Sequence, residues 1–232
     1  MDNPEQQALE VLRQAERESA PAVLASSLGV EDMVLTDLID RHGLALGIFT
    51  LDTGRLPEET YELMQQARQR YGTPIVTYAP ERAAVEAYVA ANGPNGFYDS
   101  VALRQACCHI RKVEPLRRAL AGKKGWITGL RRLQSPTRRD LPFSEWDGEN
   151  GLQKYNPLAA WTTDEVWAYV RAHDVPYNAL HDKHYASIGC APCTRAIAVG
   201  EDIRAGRWWW ENPETKECGL HPAKNASMSK AS

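Results

Sequence analysis

Long apolar runs are missing from this sequence of 232 residues. No stretch approaches the roughly 18–20 consecutive apolar residues that span a bilayer, and the mean hydropathy is −0.48, so no membrane association is expected. The first ten residues, Met1–Glu10, lack the basic start and apolar stretch of a secretory leader, which points to a cytoplasmic chain. Cysteine is scarce: five residues, an odd number, without the regular spacing of a disulfide scaffold. Cysteines kept in a cytosolic chain more often bind metal or react. There is no internal repeat, no linker-like stretch and no recognisable nucleic-acid-binding module. With 43% hydrophobic and 25% charged residues the bulk is neither disordered nor fibrous, and the length suits one sizeable core.

The net charge of −3 conceals a strong asymmetry. Between Arg104 and Arg139 stand eleven Lys and Arg residues against the single acid Glu114, so this segment carries +10 and the remainder −13. A segregated basic segment on an otherwise acidic chain suggests a polyanionic ligand held at one place, with a solvated helix face as the plainer alternative.

Apolar residues at helical spacing, among strong helix formers, predict a helix over 4–18. A short apolar run, Ala22–Ala25, precedes Ser26-Ser27-Leu28-Gly29 and a helical stretch, Val30–Ile39, headed by Glu31 and Asp32 as the helix dipole favours. Strand candidates Leu44–Thr50 and Pro74–Tyr78 alternate with helices from Pro57 to about Tyr71 and over 81–91. After the turn cluster Asn92–Gly96 a helical pattern runs from Ser100, is interrupted or restarted at Pro115, and stops at Gly122. Trp126–Thr128 and Gln153–Leu158 are further strand candidates, separated by the Arg-rich loop Gly129–Pro142, and Thr162-x-x-Glu165 opens a helix to His173 with a capping box. From Pro176 the chain is rich in loop-forming residues. The alternation predicts an α/β fold, a mostly parallel sheet flanked by helices, followed by a loop-rich C-terminal arm. Ligands of such sheets sit beyond the carboxyl ends of the strands. Ser26–Gly29, Asp52–Arg55 and Gly129–Arg139 fall at that edge.

Four groups of residues could carry chemistry. Ser26–Gly29, opening a helix, would aim backbone N–H groups and hydroxyls at an anion; it lacks the lysine of the common nucleotide-hydrolase loop, and a strand-to-helix turn also calls for Ser and Gly. The cysteines fall as Cys107-Cys108, Cys190-x-x-Cys193 and a single Cys218. Four thiolates complete one metal site and leave one thiol to react. The vicinal pair is unlike the spaced pairs of structural zinc and reaches two corners of an iron–sulfur cube more readily, although zinc and plain buried thiols stay open. Cys218 lies between Lys216 and His221, either of which could lower a thiol pKa, and beside Gly219 and Pro222, which suit an exposed segment. Finally, Arg131, Arg132, Arg138 and Arg139 suit bidentate recognition of phosphate or sulfate. Trp208-Trp209-Trp210 could stack bases but is more often core or interface mass.

Taken together, Ser27-Leu-Gly-Val-Glu31-Asp32, Leu51-Asp-Thr-Gly-Arg-Leu56, Cys107-Cys108, Gly129-Leu-Arg-Arg-Leu-Gln-Ser135, Cys190-Ala-Pro-Cys193 and Glu217-Cys-Gly-Leu-His221 resemble the assimilatory adenylyl-sulfate/phosphoadenylyl-sulfate reductase family, within the ATP-pyrophosphatase-like α/β group. The resemblance covers about residues 20–222. It implies a single Rossmann-like domain over 1–222, with a nucleotide-binding core at 19–185, an arm at 186–222 and a flexible tail at 223–232. The second Gly and closing Ser of the loop that grips ATP pyrophosphate are absent here, which favours a phosphosulfate over ATP.

The resemblance further implies that Cys218 attacks the sulfur of adenylyl sulfate (APS), expelling AMP and leaving an S-sulfonate from which a thioredoxin-type dithiol releases sulfite. Lys112, Arg131, Arg132, Arg138, Arg204, Arg207 and His221 are expected near the phosphosulfate. Ser27, Leu28, Gly29, Leu51, Asp52 and Gly54 are expected along the adenosine, and Ser26, Glu31 and Gly129 complete the substrate-binding set. Cys107, Cys108, Cys190 and Cys193 would hold one 4Fe–4S cluster per subunit, as in the subgroup that reduces APS. Reduction of the 3′-phosphorylated substrate (PAPS), or of both, is the alternative. An ATP pyrophosphatase or a metal-bound nucleic-acid-binding module is less expected. No nucleic acid or membrane partner is expected, and a homo-oligomer, dimer or tetramer, is, with Trp208–Trp210 as an interface candidate.

Overall fold

The computed structural model describes residues 3–135 and 138–212. Cys218 and His221 lie outside the described residues. Six strands form one sheet: β1 (Ala22–Ser26), β2 (Gly47–Leu51), β3 (Ile75–Tyr78), β4 (Gly125–Ile127), β5 (Ser144–Asp147) and β6 (Leu152–Tyr155), in the order β3-β2-β1-β4-β6-β5. All neighbours are parallel except β5, which pairs antiparallel with β6 through Ser144↔Tyr155 to Asp147↔Leu152. The parallel sheet was legible from the alternation. The edge hairpin was not, because β5 has the charged, half-exposed residues of an edge. β6 also ends earlier than expected, since Pro157 cannot donate to the ladder and Asn156–Ala159 forms a turn.

Among the described residues seven α-helices accompany the strands: α1 (Pro4–Glu18), α2 (Val30–Arg41), α3 (Glu58–Arg70), α4 (Arg82–Asn92), α5 (Val101–Cys108), α6 (Glu114–Leu120) and α7 (Thr163–His173). Caps fix several starts, among them Asn3 on α1 and the Thr162–Glu165 capping box on α7. Residue alternation in the strands sorts the two faces. Leu24, Ile48 and Ile127 join α1, α2, α3 and α7 in one core, while Val23, Phe49 and Trp126 meet Leu116, Ala119 and Leu120 of α6 in the other. Between α5 and α6 the helix widens into a π turn, His109–Val113. Such turns are rare and cluster at functional sites.

The chain winds outward from β1 through β2 to β3, then returns to place β4 on the other side of β1. Strand order thus reverses between β1 and β4, which opens a crevice beyond their carboxyl ends. Among the described residues no helix is long and apolar enough to cross a membrane.

Candidate active site

The loop leaving β1 turns sharply into α2. Leu28 takes the left-handed backbone region (φ 60°), an unusual position for a bulky residue, and its side chain is sunk in the core. Asp32 holds this turn. Its buried carboxylate accepts from Ser27 N (2.7 Å), from Ser27 Oγ (2.6 Å) and from the backbone of Gly129 beyond β4. Burial, opposed by these hydrogen bonds, pushes the carboxyl up to about 6. Gly129 is required for a steric reason: a Cβ there would stand 2.3 Å from Asp32 Oδ1.

A second layer lies above this latch. Glu31, in the first turn of α2, receives Arg131 Nε (2.9 Å) and Nη2 (2.7 Å) and Gln134 Nε2 (3.1 Å) on one oxygen. Gln134 Oε1 in turn accepts Arg131 N (3.1 Å) and Arg138 Nη1 (2.7 Å). The basic loop is thereby stitched to the loop after β1.

Between the two loops a cavity of about 570 Å³ opens at the β1/β4 crevice. Of the residues expected at the substrate, Ser26, Ser27, Gly29, Glu31, Leu51, Lys112, Gly129, Arg131, Arg138, Arg204 and Arg207 line it. Leu28, Asp52, Gly54 and Arg132 do not. Asp52 Oδ1 accepts Gly54 N (2.8 Å) and Tyr61 Oη (2.8 Å), closing a turn in which Gly54 has φ 67°. Arg132 donates to the Leu141 carbonyl (2.8 Å) and lies over Phe143. Arg207 presses against Gly189 and stacks on Trp208 at 4.6 Å, and its Nε is buried without a hydrogen-bond partner among the described residues.

Lys112 also borders a second, smaller pocket, lined by Cys107, Cys108, Cys190 and Cys193 with Arg55, Arg104 and Arg111. Phe97 lines this pocket too, and Trp208 and Trp210 pack in the same apolar cluster as the cysteines. The two thiol pairs come from the end of α5 and from a turn at Ala191–Cys193, 80 residues and more apart in sequence. Thr53 Oγ1 sits 3.2 Å from Cys190 Sγ, and Arg111 Nη1 donates to Thr53 O (2.6 Å), so the turn after β2 touches both pockets. Burial pushes the Cys193 thiol up to about 12 and raises Cys107 as well, opposed at Cys107 by Arg111. Thiols so disposed ionise only when something with positive charge takes the proton's place. Among the described residues no three His, Cys, Asp or Glu side chains are grouped to hold one metal ion. Four thiols lining one pocket is a donor set that fits a cube taking one thiolate at each corner.

Residues 21–196 match the phosphoadenosine phosphosulfate reductase domain. The chain belongs to that family. It is 63% identical over 214 residues to adenosine 5′-phosphosulfate reductase of Allochromatium vinosum, covering 92% of this chain and 84% of that one. It is 58% identical over 197 residues to the Burkholderia cepacia protein of the same name, covering 85% and 79%. In fold it is similar to a phosphoadenylyl-sulfate (PAPS) reductase from Candida auris solved as a phosphate complex, with a TM-score of 0.70 and 27% identity over 82% of this chain and 90% of that one.

Within this reductase family member, several site residues carried little signal in the sequence. Asp32 stood in a quoted motif, yet its role as the latch between two loops depends on a contact with Gly129, 97 positions on. Gln134 joins Glu31 to Arg138, and Thr53 bridges the pockets. The basic segment does not face one ligand as a block. Arg104 and Arg111 are buried beside the thiols, and Arg118 pairs with Glu114 (2.6 Å) on the outside. Lys112, Arg131 and Arg138 reach the cavity. Trp208 and Trp210 pack at the thiol pocket, leaving Trp209 as the exposed member of the triplet.

Proposed function

We propose that the chain is a cytoplasmic oxidoreductase that reduces adenosine 5′-phosphosulfate to sulfite and AMP in sulfate assimilation. The observation that carries this reading is the meeting of Lys112, Arg138, Arg204 and Arg207 around the β1/β4 cavity, beside a pocket of four thiols. The substrate is an anion attacked by an anion. Two like charges about 4 Å apart repel by about 4 kcal/mol at an effective dielectric near 20, and the cavity's cations offset that repulsion.

In this reading the Cys218 thiolate attacks the sulfuryl sulfur. The S–O bond to phosphate breaks, AMP leaves with the electron pair, and Cys218 carries an S-sulfonate. A thiolate of a thioredoxin-type dithiol then attacks Cys218 Sγ and expels sulfite. The second thiol of that partner resolves the mixed disulfide, so the two electrons gained by the substrate sulfur come from the dithiol. His221 and Arg132 belong to the proposed substrate set by motif. Ser27, Gly29 and Leu51 border the adenosine part of the cavity, with Leu28, Asp52 and Gly54 shaping its turns.

Cys107, Cys108, Cys190 and Cys193 would hold a 4Fe–4S cluster, which when bound supplies fixed charge and rigidity beside Lys112. The active unit is a homo-oligomer, dimer or tetramer. Relatives named for the unphosphorylated nucleotide at 63% and 58% identity favour APS over PAPS. A preference of 100-fold or more in kcat/KM for PAPS, about 2.7 kcal/mol, would reverse that choice. Cys218→Ser tests the mechanism: the variant should bind AMP and retain iron, sulfide and visible absorption while producing no sulfite. Normal turnover by that variant would refute it.

A further inference from the structure

We propose that His181 is a binding residue for the nucleotide's ribose, its Nε2 accepting a hydrogen bond from one of the two ribose hydroxyls. The inference rests on the nucleotide-binding reading above and deepens it. His181 lines the β1/β4 cavity, in the short turn Ala179–Lys183 that follows α7. Its Nε2 is buried and has no hydrogen-bond partner among the described residues. The imidazole does bond the backbone of Tyr185, and since Nε2 makes no bond, Nδ1 makes that one.

The state of the ring follows from its setting. Burial, the largest influence, pulls the imidazole below its usual 6.5, against Glu31 and Asp182, which favour the charged form. A neutral imidazole carries one N–H and one lone pair. The Tyr185 carbonyl takes the N–H, so the lone pair stands on Nε2. The ring is also held in place. It meets Trp167 edge to face at 5.5 Å and 85°. Tyr185 N donates to Leu180 O (3.1 Å) and His184 N to His181 O (3.2 Å), which fixes the turn. Asn178 Nδ2 donates to Thr60 Oγ1 (2.9 Å) and Lys183 pairs with Glu59 (3.0 Å), which tie the turn to α3. A buried acceptor left unmade is costly, and a ligand that brings a donor removes the cost.

Adenosine 5′-phosphosulfate has few donors to bring. Its phosphosulfate only accepts, and its N–H and O–H groups are the adenine amine and the ribose hydroxyls. The two sides of the cavity separate these. Phe49, Leu116 and Trp126, with Ala25 and Leu51, make an apolar wall on the α6 side of the sheet that suits a base. Trp167, on which His181 packs, belongs to the core of the other face, and there Glu31, Gln134 and Thr163 line the cavity. The lone pair thus stands across the crevice from the apolar wall, where the donors that reach it are hydroxyls. A site built to pair with a hydroxyl rejects an analogue that lacks it.

The test is calorimetric binding of AMP, 2′-deoxy-AMP, 3′-deoxy-AMP and inosine monophosphate to the full-length protein and to His181→Phe and His181→Gln. The unaltered protein should prefer AMP to one of the deoxy nucleotides by about five- to tenfold. In His181→Phe, which keeps the ring and removes the lone pair, that preference should collapse to within about twofold, with AMP and inosine monophosphate weakened alike. His181→Gln, which restores an acceptor, should recover part of the preference. Equal weakening of AMP and both deoxy nucleotides in His181→Phe overturns the proposal, as does a weakening that spares inosine monophosphate alone, which would assign the lone pair to the adenine amine. Should His181→Phe fail to fold, the ¹⁵N resonance of His181 Nε2 in the unaltered protein decides: it should shift on adding AMP and stay put with the disfavoured deoxy nucleotide, and no shift with AMP overturns the proposal. Failure of the unaltered protein to bind AMP at all would instead overturn the nucleotide-binding reading, and the role of His181 with it.

Discussion

Asp32→Asn tests whether the buried carboxylate is the latch described above. In the fold its carboxyl sits at about 6, against an ordinary 3.8, because burial outweighs the hydrogen bonds from Ser27 and Gly129. At roughly 1.4 kcal/mol per pKa unit, ionising this group costs the folded state about 3 kcal/mol more than it costs the unfolded chain. The sign follows: a raised folded-state pKa contributes stability that is fully present below 3.8 and is lost as pH rises through 6. Asparagine cannot titrate, so the variant lacks this loss. Urea unfolding of both proteins at several pH values between 4 and 7.5 gives a difference in which every other titrating group cancels. That difference should move by about 2.4 kcal/mol against the wild type across the window, whatever fixed penalty the lost acceptor adds. A difference that stays flat with pH would show that Asp32 is already ionised at acid pH, and the burial argument would fall. Along the same series AMP affinity of the wild type should weaken below pH 6, where a protonated carboxyl loses an acceptor for Ser27 and Gly129.

Gly129→Ala places a methyl 2.3 Å from Asp32 Oδ1, so it should cost about 1–3 kcal/mol in unfolding and sharply weaken AMP binding by calorimetry. Arg131→Met leaves Glu31 half-made at 15% exposure and should destabilise by about 3 kcal/mol. Arg118→Ala, in an exterior pair exposed by 37% and 35%, should cost less than about 1 kcal/mol, and a larger loss there than at Arg131 would invert the ranking.

Local pattern was enough for the parallel part of the sheet. Val23 and Leu24, or Trp126 and Ile127, are adjacent apolar residues that each serve a different face, and such doubly buried strands read as unbroken apolar runs. The same logic fails for β5, whose Ser-Glu-Trp-Asp has no buried face to mark it; Trp146 is 66% exposed. The helix over 100–122 was visible as a helix. Pro115, which has no N–H to donate, marked a restart there and stands in the first turn of α6, but that the break takes the form of a π turn at His109–Val113 was not legible. That turn matters, because it lies between Cys108 and the end of α5–α6 and carries Lys112, which borders both pockets.

Charge was the more deceptive signal. Summed along the chain, the basic segment looks like one pole, but a guanidinium's destination depends on partners that the local sequence does not contain. Arg131 finds Glu31 across 100 positions and Arg104 finds Glu211 across 107. Arg118, by contrast, finds Glu114 four residues away and never reaches the interior. The arginines that look interchangeable in sequence therefore divide into braces and candidates for the anion. A brace such as Arg131 has its charge largely matched by a carboxylate 2.7 Å away and adds little to the potential felt by a ligand. Lys112, Arg138, Arg204 and Arg207 line the cavity, and in the proposed reaction they would offset the thiolate–phosphosulfate repulsion. Two of these, Arg204 and Arg207, come from outside the basic segment altogether. The cavity thus takes its cations from two separate stretches of sequence, Lys112 and Arg138 from the basic segment and Arg204 and Arg207 from some 65 positions beyond it, which no local count of charge could reveal.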